Sequence, residues 1–394
     1  MLLHVILDLS RLLAAGWLGV AAGIDRVELA YARHFAASGC SFSGRSIGGW
    51  YAELPRNLSL RLVEALETDQ PRRAKLAAAA GFSLLTSGVG RRALLHRIAA
   101  TPGSVLVLVS HSGLHDAAAI AALKARGARF LPMLHDLIPI THPEFSTPRQ
   151  IARHPKRVAT ISALADALLI SSMATADVLN GLLQGQRIPP MHLVRFGTDI
   201  AACAPSPVPM PPAGPYFVAL GTIEPRKNHM LLLNLWRELT GGPRLVIIGR
   251  RGWAAETTWR LLDRPADFEG RVEERGRLDD AQTAALLGGA RALLFPSFVE
   301  GYGIPLAEAL TMGVPAICSD TPALRELGEG VPDYLDPNDS PGWRDTILDY
   351  ARADSPARAA QLARLPGWPV PTWPEHFASV ERVLEEVASM PRMA

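Results

Sequence analysis

The chain has 394 residues, enough for two or three domains with sizeable cores, and its 48% hydrophobic and 20% charged content excludes a disordered or fibrous protein. The formal net charge of +2 hides an asymmetry, because residues 1–205 hold 21 Lys and Arg against 13 Asp and Glu and the remainder holds 19 against 25. A basic front half suits an anionic surface such as a phospholipid leaflet or an acidic glycan; no Lys/Arg stripe interleaves with aromatics, so nucleic acid is not an expected partner.

Cys40, Cys203 and Cys318 are far apart and lack CxxC spacing, which points to a reducing compartment and gives no zinc framework. No apolar run reaches the roughly 20 residues of a spanning helix, the N-terminal candidate being broken by Asp8, Arg11, Asp25 and Arg26. The same charges spoil a cleavable signal peptide, so a cytoplasmic protein is expected.

In chain order, apolar runs at 2–9, 104–110, 130–135, 167–172 and 192–196 alternate with helical-period stretches. A second series follows at 216–221, 244–249, 272–278, 292–296 and 315–320. Continuously apolar strands separated by helices indicate parallel sheets covered on both faces. The expected fold class is therefore α/β with two doubly wound, Rossmann-like domains.

Ile24, Val27, Tyr31 and Phe35 share one face of a first helix that Gly39 stops. Gly16, Gly19 and Gly23 predict a flexible loop before it, at the carboxyl end of the first strand, where open α/β sheets bind ligands. Residues 91–98 (RRALLHRI) form a short basic amphipathic stretch, read as a surface helix with a membrane-lying helix as the alternative. Six prolines within 205–215 mark a linker. The expected division is 1–205 for an acceptor-binding domain, 206–215 for the linker, 216–372 for a nucleotide-sugar domain and 373–394 for a C-terminal helix, with Phe377, Val380, Val383 and Leu384 at helical spacing.

The chemistry concentrates in FPSFVEGYGIPLAEAL, residues 295–310. A buried strand there runs into a loop with Gly301 and Gly303, and Pro305 suits the first turn of a helix whose unpaired N–H groups favour an anion or a sugar oxygen. Glu300 and Glu308 flank that start and can accept hydrogen bonds from vicinal hydroxyls. In ALGTIEPRKNHM, Arg226 and Lys227 stand at a strand-to-helix turn after Gly221 and Thr222, where two fixed cations can neutralise a diphosphate. Arg250, in the next basic loop (IIGRRGW), can assist the phosphates or pair with a surface acid. His111 and His115 have i,i+4 spacing without a third ligand nearby and are read as non-metal residues.

These segments, with GRLDDAQTAALLGGARALLFPSF before the loop and YLDPND after it, resemble in order the nucleotide-binding half of retaining glycosyltransferases of family 4, across residues 216–339. The resemblance implies the GT-B fold, two Rossmann-like domains facing a central cleft. It implies that Glu300 lies near donor-sugar hydroxyls and Glu308 on the ribose. Arg226 and Lys227 would hold the diphosphate, Gly301, Tyr302, Gly303 and Ile304 would form a backbone cradle, and Arg277 and Leu278 would lie at the nucleobase turn. Two front-half pieces, GIDRVELAYARHF and LHDLIPITHPEF, are similar to a mannosyltransferase subgroup of surface polysaccharide synthesis. By that similarity His135 lies near the reacting sugar, with Gly23, Asp25, Arg26 and Asp136 as acceptor-side candidates, and the last helix returns to the first domain.

The implied reaction is transfer of a sugar, leaning to mannose from GDP-mannose, to a hydroxyl of a glycan or lipid-linked acceptor, with retained configuration. The nucleoside diphosphate sugar is a substrate, and no cofactor or metal is expected, in keeping with the lack of a DxD motif. The acceptor and the basic front half together imply contact with the inner face of an anionic membrane. Two rivals remain open: a GT-B sugar-nucleotide epimerase, and a catalytically silent nucleotide-binding scaffold.

Overall fold

The computed structural model describes residues 3–19, 23–200 and 212–391. The chain divides into two compact units, Met1–Arg195 with Pro374–Ala394, and Phe196–Trp373. Residues 196–200, assigned above to the first domain, cluster with the second unit, and 201–205 lie outside the described residues. Most of the proline linker, 206–211, lies outside the described residues.

The first unit is built on a seven-stranded sheet: β1 (His4–Asp8), β2 (Ser41–Arg45), β3 (Tyr51–Leu54), β4 (Ser104–Leu108), β5 (Arg129–Leu134), β6 (Leu168–Ile170) and β7 (Met191–Leu193), in the order β3-β2-β1-β4-β5-β6-β7. All neighbours are parallel except β2 and β3. Ile6, Leu106, Leu108, Phe130, Leu134, Leu168 and Ile170 supply one continuous core, which Leu94 and Ile98 of helix Val89–Ala100 also enter. The basic RRALLHRI stretch therefore buries its apolar residues in the unit's own core.

The second unit has six strands, all parallel: β8 (Tyr216–Leu220), β9 (Arg244–Ile248), β10 (Val272–Gly276), β11 (Leu293–Phe295), β12 (Ala316–Ser319) and β13 (Asp333–Leu335), in the order β10-β9-β8-β11-β12-β13. That is the Rossmann order, with the direction of strand addition reversing between β8 and β11. Phe217, Trp236, Ile247, Leu294, Ile317, Trp343 and Tyr350 fill its core.

Three strands escape the sequence pattern: β2, β3 and β13. The first contains Gly44 and serines at 41 and 43, which interrupt any apolar run, and the last is a three-residue edge strand. The glycine-rich loop expected before the first long helix is also corrected. Residues Ser10–Leu18 are helical, and Gly16 is an interior helix position. A Cβ there would stand 2.7 Å from Ala78 Cβ and 2.9 Å from the Ala74 carbonyl, so this glycine permits close packing on helix Pro71–Thr86. Gly23 begins helix Gly23–Ala37, and residues 20–22 lie outside the described residues.

The last helix, Trp373–Ser389, belongs to the first unit from Pro374 onward. His34 stacks on Phe377 at a 3.9 Å centroid distance, Tyr31 meets the same ring edge-on at 5.1 Å, and His376 Nε2 lies 2.8 Å from the Tyr31 hydroxyl. Phe377→Ala should cost about 3 kcal/mol of stability in urea unfolding, the range for deleting a buried ring, and Phe377→Leu less than half of that.

Candidate functional site

The second unit's switch point lies between the carboxyl ends of β8 and β11, where the loops diverge and leave a crevice. The loop after β8 runs through Gly221 and Thr222 into a 3-10 turn, Pro225–Lys227, and then helix His229–Glu238, with Asn228 in the left-handed region at φ 53°. The loop after β11 carries Glu300 and reaches helix Ile304–Thr311 through Gly303 at φ 108°. A side chain on Gly303 would strike Leu324 at 2.6 Å, and one on Gly249 would lie 1.9 Å from the Gly221 carbonyl oxygen. Both glycines allow close backbone approach.

These loops bring three of the expected residues together. Lys227 Nζ lies 2.6 Å from Glu300 Oε1, and Arg226 Nη1 lies 2.7 Å from Glu300 Oε2. Arg226 also donates to the Val299 carbonyl at 2.9 Å and to Glu224 Oε1 at 2.8 Å. The Lys227 ammonium sits 4.5 Å from the Phe295 ring centroid, an additional cation–π restraint. Only 7% of the Glu300 side chain and 10% of that of Lys227 are exposed.

Burial alone would raise the Glu300 carboxyl, but the Arg226 and Lys227 charges outweigh it and hold the group at about 2. Lys227 goes below its ordinary value, because burial and Arg226 oppose its charge more than Glu300 supports it. The cations are thus placed in advance around one anion. His229, next in the helix, is kept neutral at about 3 by burial and by the Lys227 charge.

The other expected donor-side residues fall as follows. Glu308 is 2% exposed on the helix that Gly303 opens. Tyr302 is buried, with its hydroxyl donating to the Phe196 carbonyl at 3.1 Å; Gly301 and Ile304 are half-buried in the same loop and helix start. Arg277 is exposed and Leu278 half-buried just past β10. Arg250 is exposed and makes no ion pair among the described residues; its neighbour Arg251 pairs with Asp263 and Glu274. Arg250 is therefore not joined to the Arg226–Lys227–Glu300 group.

In the first unit His135 follows β5 and is 5% exposed. Its Nε2 lies 2.6 Å from the Val109 carbonyl, which can only accept, so that nitrogen carries the proton. Burial holds the ring neutral, down to about 4. Its backbone N–H donates to His111 Nε2 at 3.2 Å, and the two rings lie 5.2 Å apart. His154 Nε2 donates to the Asp136 carbonyl at 3.0 Å, while its Nδ1 receives Arg157 at 2.9 Å. The resemblance of LHDLIPITHPEF indicated His135 and Asp136, but the supporting His154 and Arg157, on helix Pro148–Leu164, carry no motif of their own. Asp25 is buried and ion-paired with Arg11; Gly23 and Arg26 are half-buried on the same helix. Among the described residues no group of three or more His, Cys, Asp or Glu is placed to hold a metal ion.

Two Rossmann-like units, one with cations fixed at its switch point, define a GT-B fold. HepE of Anabaena, solved with UDP, superposes at a TM-score of 0.66 over 99% of this chain and 100% of its own with 14% identity. Sucrose-phosphate synthase of Thermosynechococcus elongatus does so at 0.65 over 97% and 98% with 16% identity. Residues 207–330 match the family model for glycosyl transferases group 1, and the second unit carries a domain of that family.

Among curated relatives, O-antigen chain mannosyltransferase B of Escherichia coli is 28% identical over 252 residues, 59% of this chain and 64% of its own. Serotype-specific mannosyltransferase WbdA of Escherichia coli is 29% identical over 231 residues, 53% of this chain and 28% of its own. The phosphatidyl-myo-inositol mannosyltransferase of Mycolicibacterium smegmatis is 30% identical over 206 residues, 49% and 51%. The chain thus spans less than two-thirds of the length of the curated relatives it matches.

Glu300→Gln leaves two buried cations short of their anion and should cost about 3–5 kcal/mol at pH 7. Because the folded carboxyl titrates near 2 against an ordinary 4.5, its contribution is complete above about pH 4.5 and is lost as pH falls towards 2. Urea melts of the wild type and Glu300→Gln should therefore converge at about pH 2.

Proposed function

We propose that this protein is a retaining glycosyltransferase that moves a sugar, leaning to mannose from GDP-mannose, onto a hydroxyl of a glycan or lipid-linked acceptor in surface polysaccharide synthesis. The observation that carries this reading is the Arg226–Lys227–Glu300 group at the switch point of a glycosyl transferases group 1 domain. The mannosyltransferase relatives support the sugar; the UDP in a structural neighbour belongs to that neighbour and leaves the base to be measured.

Breaking the bond from the anomeric carbon to the diphosphate oxygen puts negative charge on the leaving group. Cations already fixed in place stabilise that charge without reorganising, so they favour the transition state over the ground state. As the diphosphate takes over Arg226 and Lys227, Glu300 is released to accept the donor sugar's hydroxyls. The acceptor oxygen attacks on the face the leaving group vacates, and its proton passes to the departing phosphate oxygen. Glu308 accepts the ribose hydroxyls, and neutral His135, whose Nε2 proton is spent on the Val109 carbonyl, accepts a hydrogen bond from a sugar hydroxyl at Nδ1. With two protein cations on the diphosphate, turnover requires no metal and should be unchanged by a chelator.

Lys227→Ala should lower kcat by about 10²–10³, the loss typical of one electrostatic donor to a developing anion. Glu308→Gln should instead weaken nucleoside diphosphate binding in titration calorimetry by about tenfold. Thermal shifts with GDP, UDP, dTDP and ADP identify the base, since a ligand that binds only the folded state raises Tm by mass action. GDP should give the largest shift, and no shift with any of the four would defeat the reading.

The acceptor's setting extends the reading to a membrane surface. Trp17, Leu18, Leu76, Leu84 and Val89 are exposed on the first unit, and Arg72, Arg73, Lys75, Arg91 and Arg92 are exposed in the same helices or beside them. This unit should float with anionic liposomes at low salt and be partly released at high salt, where screening removes the lysine and arginine contribution. No flotation at either salt would discard the membrane role.

A further inference from the structure

The chain passes between its two compact units twice, at Arg195–Phe196 and at Trp373–Pro374. Inside the second unit the two passing segments are packed on each other. A Cβ on Gly197 would stand 2.2 Å from the Trp373 nitrogen and 2.7 Å from the Thr372 carbonyl carbon, so a glycine is what lets these backbones lie so close. The Phe196 and Trp373 rings are 6.4 Å apart, and Phe196 is buried.

The loop that carries Glu300 is fastened to the same place. Tyr302, two residues on, is buried; its hydroxyl donates to the Phe196 carbonyl at 3.1 Å, and its ring meets the Phe196 ring edge-on at 4.9 Å. The helix that follows, Ile304–Thr311, is tied at its far end, where the Thr198 and Thr311 hydroxyls lie 3.3 Å apart. Loop and helix therefore hold residues 196–198 from both ends. The carbonyl just before, that of Arg195, is held by a different element. His376 Nδ1 lies 2.9 Å from it, and since a carbonyl can only accept, that nitrogen carries the proton and Nε2 accepts from the Tyr31 hydroxyl at 2.8 Å.

The loop's expected part in diphosphate binding is its backbone, so the Tyr302 side chain is not needed there and is spent on the passing segment instead. In the proposed reaction Glu300 exchanges partners: it holds Arg226 and Lys227 when the site is empty and sugar hydroxyls when the diphosphate takes those cations. A loop that exchanges partners shifts, and a buried ring two residues away shifts with it, because a close-packed interior transmits strain.

We propose that Tyr302 is a positioning residue that couples the state of Glu300 to the passing segment at Phe196, so that donor occupancy reaches the chain that joins the two units. The proposal rests on the glycosyl-transfer reading for the event that drives the coupling, and the tie itself does not depend on it. Coupling is reciprocal, so the segment also holds Glu300 in place against its two cations.

Hydrogen–deuterium exchange of the full chain, followed by mass spectrometry, reads the tie in peptides over 194–200 and 370–376, with β9 as internal control. Without ligand, Glu300→Gln should speed exchange over 194–200 by about threefold or more, the order of one hydrogen bond lost. Tyr302→Phe keeps the ring and deletes the hydroxyl, and in the double variant the effect of Glu300→Gln should fall to less than half. Lys227→Met is the second way to disturb the Glu300 group if Glu300→Gln does not fold. With whichever of GDP, UDP, dTDP and ADP binds, Tyr302→Phe should keep affinity within about threefold of the wild type in calorimetry. It should lose the slowing of exchange over 194–200 that the nucleotide gives the wild type, and kcat should fall about tenfold with the donor KM little changed. Equal acceleration in β9, which a merely structural tyrosine would give, or an effect of Glu300→Gln on 194–200 that is absent or untouched by Tyr302→Phe, would overturn the coupling. If none of the four nucleotides binds the wild type, the transfer reading fails, while the ligand-free comparison still decides the tie.

Discussion

A parallel sheet can pair its strands only by crossing over, and where the crossovers reverse direction two loops must part. In the second unit that parting sits between β8 and β11, and it is occupied by Arg226, Lys227 and Glu300. Two cations held 2.7 and 2.6 Å from one carboxylate, largely out of water, cannot relax into solvent when the anion changes. That is the condition under which fixed charge stabilises a developing anion more than a ground state. The surrounding glycines serve the same end, since Gly249 lets two loop backbones touch and Gly303 lets the helix start approach.

The two units apply one topology to opposite charge. At the back switch point two cations, Arg226 and Lys227, are held on buried Glu300, with Glu224 also on Arg226. At the front switch point, between β1 and β4, the buried residues are carboxyls, Asp8 and Glu28, with Asp8 Oδ1 accepting from the Ser10 hydroxyl and the nearby Arg11 and Arg45 held by Asp25 and Asp116.

Much of the back unit was legible in the residues. Its apolar runs are unbroken because both faces of each central strand are buried, and Arg226, Lys227, Glu300 and Glu308 stand in loops whose glycines and prolines punctuate the chain. The front unit was less so. Strand β2, with Gly44 between polar neighbours, has no period to read, and the helix Ser10–Leu18 was hidden by Gly16, which resembles a loop signal but is there to fit Ala78. Asp8 entered the sequence argument only as a charge interrupting an apolar run. Nothing in its neighbours along the chain says that Glu28, twenty residues on, would meet it.

The sequence by itself determined the α/β class, the two series of strands and the donor-side motif, because these depend on local pattern and short spacing. Tertiary structure decided which charges neutralise one another. It gave both Glu300 oxygens to cations, and gave Arg251 to Asp263 and Glu274 while leaving Arg250 in solvent. Such pairings depend on strand order and on which loops share a switch point, and those are set by contacts between residues far apart in the chain.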